Sequence, residues 1–309
     1  MIKGLAITPP VLGRISIGRV VEKNGKRLPE KDDQFTLTTQ VQQQGNWIIH
    51  PLDEEYRKDA PGGKLRSIPV RMLFNDPDLN LRAEYSMFDR QTGRPVCVGN
   101  GEKCRRFTQS GVQTLECPSP LLCDFAANGG CKPYGRLNVK LGDDDEIGTF
   151  IFRTTGFNSI RTLTARLRYY HEISGKLLAC LPLQLRIRGK STTQSHRSAI
   201  FYVDLTVRDG MTLTQAVIAA RELENQRKET GLDQDALDAI AKEGFGNAAF
   251  EFGEEEIPAV LEEFYPTGEG HSDTDAESQT SRTDQPTASH QKARLTEKLD
   301  RRITMQNQH

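Results

Sequence analysis

The chain has 309 residues, 27% of them charged, and its formal net charge is −1. This length leaves room for one large domain or two ordinary ones with tails. No apolar run approaches the roughly 20 residues that a membrane-spanning helix needs, and the first residues lack the uninterrupted apolar stretch of a secretory signal. We therefore expect a soluble, cytoplasmic protein with no membrane partner, whose cysteines stay reduced.

Alternation of apolar and polar residues predicts three strand pairs in the first half of the chain, each around turn residues. The first is centred on Asn24-Gly25, which is a strong short-range hairpin signal. In chain order the pairs are residues 14–21 with 35–41, residues 65–74 with 79–88, and residues 136–141 with 148–153.

Cysteine is concentrated in one stretch, since five of the six cysteines lie between residues 97 and 131. In a reducing compartment such a cluster favours a metal over disulfides, and four thiolates around Zn²⁺ are the commonest structural arrangement. An iron–sulfur cluster and buried, unligated thiols are the alternatives. Cys97 lies in an apolar run typical of a strand, so the expected zinc ligands are Cys104, Cys117, Cys123 and Cys131, and whether Cys97 takes the place of Cys104 stays open.

Apolar residues take a helical period after residue 154, which predicts a helix over residues 157–172. Strands are expected at residues 181–187 and 199–207, the second apolar enough to be central in its sheet. Residues 151–208 carry ten basic and two acidic side chains, a balance of +8, which favours an anionic partner. The candidate DNA-contacting residues are Arg161, Arg166, Arg168, Arg186, Arg188, Lys190 and Arg197.

Two other roles for this basic block remain open. It could cover the acidic part of the same chain, because residues 209–265 carry fourteen acidic and four basic side chains. It could equally contact another acidic protein. Thr212 and Gln215 match a capping box, so a helical extension is expected over residues 209–245.

The C-terminal part of the chain has two further compositions. Residues 246–265 are acidic with interleaved apolar residues, which is typical of a short docking segment. Residues 266–309 are rich in Gly, Ser, Thr, Asp and Gln and too poor in apolar residues to offset chain entropy. We expect a disordered tail there.

No sequence signature of an active site is present, and we name no catalytic residue. The six histidines are dispersed, and the chain has no HExxH zinc-protease pair, nucleophile elbow or phosphate-cradling loop. A zinc hydrolase would need an open coordination position, whereas four thiolates favour a closed structural site.

Five segments in a fixed order resemble one family: GRPVCVGNG (93–101), ECPSPLLC (116–123), CKPYGRLNVKL (131–141), FRTTGFNSIRTL (152–163) and GKLLACLPLQLRI (175–187). They are similar to the recombination directionality factor-like proteins of bacteriophages and integrative elements, over roughly residues 1–208. The resemblance implies that the cysteine region is a metal site. It also implies a recombinase or integrase, or another DNA-metabolism protein, as the partner. The best-understood members of this family switch a serine integrase from integration to excision without chemistry of their own.

The sequence therefore predicts an α+β protein. Its β-rich domain spans residues 1–208 and carries the zinc site at residues 97–131, followed by the C-terminal helices and the tail. The expected function is that of a zinc-binding accessory protein of phage or mobile-element DNA recombination, with DNA as a further partner. Two alternatives stay open: a metal-dependent enzyme of hydrolase or nuclease type in phage DNA replication or repair, and a structural scaffold protein.

Overall fold

A computed structural model describes residues 10–23, 26–44, 46–127, 130–143, 148–191, 199–245 and 256–265, with residues 19–23 and 26–31 described by their backbone alone. The predicted tail and the first ten residues of the predicted docking segment lie outside this part of the chain. Within it the strands are β1 Val11–Lys23, β2 Lys26–Gln43, β3 Asn46–Ile49, β4 Ser67–Arg71, β5 Leu81–Phe88, β6 Pro95–Gly99, β7 Lys103–Thr108, β8 Gly111–Glu116, β9 Cys131–Leu141, β10 Thr149–Thr154, β11 Leu183–Ser191 and β12 Ala199–Val207. The helices are α1 Pro51–Asp59, α2 Pro77–Asn80, α3 Phe157–Ile173, α4 Leu213–Glu229, α5 Gln234–Phe245 and α6 Ile257–Phe264.

The strands form one mixed sheet that branches at β9. Its main path runs β3-β2-β1-β10-β9-β5-β6-β7-β8, and β1 pairs with β10 in parallel. A second path leaves the end of β9 through β4 and β11 to β12. The first and third predicted strand pairs are confirmed as the antiparallel pairs β1–β2 and β9–β10. A mixed sheet with several helices agrees with the predicted α+β class.

The second predicted strand pair is wrong, because β4 and β5 do not pair with each other. Both pair with β9 instead, β5 over its first seven residues and β4 at Leu141. The residues between them form α2 rather than a hairpin turn. The buried Asn80 side chain accepts hydrogen bonds from the backbone N–H groups of Leu73 and Phe74 at 3.0 and 3.1 Å. This side chain redirects the chain from one branch of the sheet to the other.

The helix predicted over residues 157–172 is confirmed as α3, which buries Ile160 and packs Leu163, Leu167 and Tyr170 into the main core. Burial of each such side chain contributes about 1.5–3 kcal/mol. The expectation of a central β12 is wrong, because among the described strands β12 pairs with β11 alone. Its free edge is covered by α3: Ser159 Oγ accepts a hydrogen bond from the Val203 N–H at 3.0 Å. Coverage by a helix therefore explains why an edge strand is so apolar.

The capping box is confirmed at the start of α4. Thr212 Oγ1 accepts from the Gln215 N–H at 3.2 Å, and Gln215 Oε1 accepts from the Thr212 N–H at 2.8 Å. Ala216 and Ala220 of α4 then pack on the main core. Within the described residues, no helix has the length and apolar character to cross a membrane.

The described end of the predicted docking segment forms α6. This helix packs Val260 and Phe264 against Phe88 and Tyr134, which lie on β5 and β9. The four side chains form a buried cluster separate from the main core.

Candidate functional site

The cysteine region is built on the outer end of the sheet, where β5, β6 and β7 continue the path from β9. Met87 of β5 lies opposite Cys97 on one side and Cys131 on the other. Residues that oppose each other in an antiparallel pair share a face of the sheet. Cys97 and Cys131 therefore point to the same side, although 33 residues of chain separate them.

The next strand adds to this face in the same way. β6 pairs with β7 so that Cys97 lies opposite Arg106 and Gly99 opposite Cys104. Gly99 permits close packing here, because a side chain at this position would meet Cys104 Cβ at 2.6 Å and Cys117 Sγ at 2.8 Å. Three of the cysteines, Cys97, Cys104 and Cys117, are buried together.

One small cavity lies between this face and the loop that follows β8. It is lined by four cysteines and by aromatic, apolar and basic side chains: Cys97, Cys117, Cys123, Cys131, Tyr85, Met87, Arg106 and Phe125. Cys104 lies beside the cavity, and its Sγ is 3.6 Å from the Glu116 carbonyl oxygen. The cavity therefore brings together three of the four predicted zinc ligands. The fourth cysteine in its lining is Cys97 rather than the predicted Cys104.

Arg106 puts a positive charge among these thiols. Its Nη2 lies 3.7 Å from Cys123 Sγ, and its guanidinium carbon lies 4.0 Å from the centroid of the Phe125 ring. Burial raises the pKa of the nearby Cys104 thiol, and the charge of Arg106 opposes this rise. The sequence analysis did not single out Arg106, yet Cys104 and Arg106 are two residues apart in a strand and so share a face.

Burial works against the thiolate form at two of the cysteines. It raises the pKa of the Cys131 thiol to about 12, with the neighbouring cysteines adding to the shift. It raises the pKa of Cys104 to about 11 in the same way. Both groups are therefore thiols near neutral pH, and a metal ion would have to displace their protons.

The arrangement supplies the right type of donor for zinc without a finished coordination site. All six cysteines are free thiols. In the part of the chain that the structure describes, no group of three or more His, Cys, Asp or Glu side chains is positioned to hold a metal ion. The zinc ligands named from the sequence therefore stay a prediction.

The predicted DNA-contacting residues lie mostly around α3 and β11. Arg166 and Arg188 both pair with the buried Asp204, at 3.0 and 3.3 Å. Arg186 forms an ion pair with Asp209, and Arg168 lies 3.6 Å from Asp78. These four arginines are thus partly neutralised by carboxylates of the same chain.

The other three predicted residues differ from one another. Arg161 is exposed on α3, and no acidic side chain within the described residues forms an ion pair with it. Lys190 Nζ donates to Asn158 Oδ1 at 2.6 Å, which places it beside the start of α3. Arg197 lies outside the described residues. A DNA contact on this face would therefore depend most on Arg161 and Lys190.

Comparison with known proteins identifies one family. The family model described as Gp3-like, recombination directionality factor-like, matches residues 12–208. This range begins one residue into β1 and extends through β12, so it includes the cysteine cavity and the basic face, and it ends before α4. No curated protein and no solved structure matches the chain.

Proposed function

The chain belongs to the recombination directionality factor-like family, and from this premise we propose that it is a non-enzymatic accessory protein of phage or mobile-element DNA recombination. Its partner would be a serine integrase encoded by the same element. It would act by protein contact, with DNA as an additional ligand, and change the outcome of recombination from integration to excision.

The observation that carries this proposal is the extent of the family match. Residues 12–208 make up about two thirds of the 309-residue chain, and apart from Val11 at the start of β1 they include all the described strands. A match of this extent concerns the whole β-rich fold rather than one short motif. The sequence adds support, because it holds no catalytic signature.

The test is a recombination assay with the purified integrase of the same element. With integration and excision substrates offered separately, the chain should raise excision and lower integration, and it should leave both DNAs unchanged when the integrase is omitted. Metal-dependent turnover of DNA or nucleotides by the chain alone would instead favour the enzyme alternative. No effect on either reaction would leave the scaffold alternative.

We also propose that the cysteine region binds one structural zinc ion. Cys117, Cys123 and Cys131 would be ligands, and the lining of the cavity favours Cys97 as the fourth. These ligands would let a zinc ion crosslink the strand ends and the loop after β8. Arg106 and the sulfur atoms would have to adjust, because the described side chains are not yet positioned as ligands.

Metal analysis of single cysteine variants tests this proposal and ranks the two possible fourth ligands. We expect about one zinc per chain, as for a structural four-thiolate site, lost in Cys131→Ser and Cys97→Ser but kept in Cys104→Ser. Cys180→Ser is the matched control, since Cys180 is also buried but lies near Glu224, away from the cluster. Zinc lost in Cys104→Ser and kept in Cys97→Ser would restore the ligand set expected from the sequence.

The proposed DNA contact is best tested at Arg161. Arg166→Glu would place a carboxylate against Asp204 and so disturb the fold, whereas Arg161→Glu changes an exposed side chain. If this face contacts phosphates, Arg161→Glu should weaken binding to duplexes of any sequence and reduce its salt dependence. Unchanged binding at two salt concentrations, with an unchanged melting temperature, would remove DNA from the proposal.

A further inference from the structure

The helix α6 lies on a groove formed entirely by the family-matched part of the chain, although α6 itself lies outside that part. Its apolar face fills the groove with Val260 and Phe264. The Phe264 ring centroid is 4.6 Å from that of Phe88 and 5.3 Å from that of Tyr134, both in edge-on geometry. The floor of the groove is therefore aromatic.

Two arginines flank this floor. One faces a carboxylate of α6, and the other faces the carboxylate of Glu256, the residue just before α6. Arg153 Nη2 lies 2.6 Å from Glu256 Oε1. Arg14 Nη2 lies 3.4 Å from Glu262 Oε2, and the same oxygen accepts from Trp47 Nε1 at 2.9 Å. The arginine side chains are 10% exposed for Arg14 and 5% for Arg153.

A groove of this kind needs an acidic occupant. Burial lowers the pKa of Arg14, and the charge of Arg153 acts in the same direction, while Glu262 opposes both. Two buried cations near each other are costly unless carboxylates compensate them. Among the described residues, Arg14 Nη1, Arg153 Nε and the Tyr134 hydroxyl have no hydrogen-bond partner. The groove therefore offers more donors than α6 uses.

We propose that this groove is the binding surface for an acidic, amphipathic helix of a partner protein, and that α6 is its intramolecular competitor. The spacing of Glu256, Val260, Glu262 and Phe264 defines the pattern that the groove binds. A carboxylate is followed four residues later by an apolar side chain, six residues later by a second carboxylate and eight residues later by an aromatic ring. A protein helix fits better than DNA, because phosphates would meet the arginines but leave the aromatic floor without apolar partners.

The covalent link between α6 and the rest of the chain explains how α6 can compete with a partner helix for the groove and still be displaced by it. It is covalently joined to α5 through residues 246–255, so its local concentration is high. An eight-residue helix has little stability of its own and depends on these few contacts. The apparent affinity of a partner helix is reduced by the fraction of chains in which α6 holds the groove. The identity of the partner as a recombination protein rests on the proposed function, whereas recognition of an acidic helix does not.

The test uses the full chain and a fluorescent peptide of residues 254–266 (EEEIPAVLEEFYP). Two variants weaken α6 differently: Val260→Ala with Phe264→Ala removes the apolar contacts, and Glu256→Gln with Glu262→Gln removes the charges. Each should bind the peptide at least about tenfold more tightly than the unmodified chain, because the tethered competitor is weakened. Adding Arg153→Glu to either should abolish binding. A peptide that keeps only the residues that contact the groove should still bind: Glu256, Ile257, Ala259, Val260, Glu262, Phe264 and Tyr265.

Each other outcome would overturn the proposal. If both variants keep the melting temperature of the β-rich core yet bind no peptide, α6 is a fixed part of the fold. If light scattering shows a dimer that disappears when α6 is weakened, the occupant is the α6 of a second copy. If duplex DNA displaces the peptide, the groove reads phosphates. The two proposals are tested independently. Absence of peptide binding would not contradict the proposed role in recombination, and absence of an effect on recombination would not contradict peptide binding.

Discussion

Two ends of the same sheet are stabilised in different ways. Around β4, β11, β12 and α3, a continuous core contains many large side chains with no exposed surface, among them Leu163, Leu183 and Leu205. Around β6, β7 and β8, the buried cluster consists of three cysteines with Tyr85 and Met87 packed against it. Leu121 and Leu122 there are 68% and 77% exposed. The core end is stabilised by extensive apolar burial, whereas the cysteine end has only this small buried cluster, and the proposed zinc ion would supply a crosslink there.

The largest expected difference between the two ends comes from shortening a leucine in each. Leu163→Ala removes a fully buried side chain from α3 and should lower the free energy of unfolding by about 2–5 kcal/mol. Leu121→Ala removes a mostly exposed one and should change it by less than about 0.5 kcal/mol. Urea unfolding of both variants measures this, and equal losses would contradict the comparison.

A smaller loss of stability is expected when the buried carboxylate at the core end of the sheet is removed. Asp204 pairs with Arg166 and Arg188 at once, so Asp204→Ala leaves both arginines without this partner. We expect a loss of about 1–2 kcal/mol in the free energy of unfolding. Asp78→Ala is the matched control, because Asp78 also pairs with an arginine of α3 but is 79% exposed. A loss at Asp78 as large as at Asp204 would mean that burial does not decide the strength of these pairs.

The smallest expected effect is the contribution of Asp143 to the pH dependence of stability. Hydrogen bonding from Arg208, with Arg71 nearby, holds the pKa of this carboxyl below its ordinary value. Because the folded pKa is the lower one, the stabilisation is complete above the ordinary value of about 3.9 and is lost as the pH falls through the folded pKa. Asp143 is about half exposed, so the contribution should stay under about 1 kcal/mol. Asp143→Asn should reduce the loss of stability between pH 7 and pH 3, and an unchanged loss would refute this assignment.

Local signals in the sequence predicted the local structure well. The hairpin signal at Asn24-Gly25, the helical period of α3 and the Thr212 capping box each act over a few residues. The two turn residues lie outside the described part of the chain, but β1 and β2 pair on either side of them, and the helix and the cap agree with the predictions. The pairing of β4 and β5 was mispredicted because both strands need β9, which lies far along the chain. Sequence spacing favoured the nearer partner.

At the candidate sites, too, local features could be predicted from the sequence and long-range contacts could not. Cysteine clustering located the cavity, but the placement of Cys97 and Arg106 follows from strand register, which a single sequence does not reveal. The acidic composition of residues 246–265 indicated docking, whereas its partner arginines lie about 100 and 250 residues away. The charge count over residues 151–208 also overstates the free positive charge, because Asp78 and Asp209, which lie outside this range, pair with Arg168 and Arg186.

Hydrogen exchange with and without a zinc chelator tests most directly the comparison of the two ends of the sheet, in which apolar burial stabilises one end and the proposed zinc ion would stabilise the other. The account predicts that the untreated chain carries about one zinc and that chelation removes it. Exchange should then rise in residues 97–131 and stay slow in α3, β11 and β12. A zinc-free chain whose residues 97–131 exchange as slowly as before chelation would contradict the account.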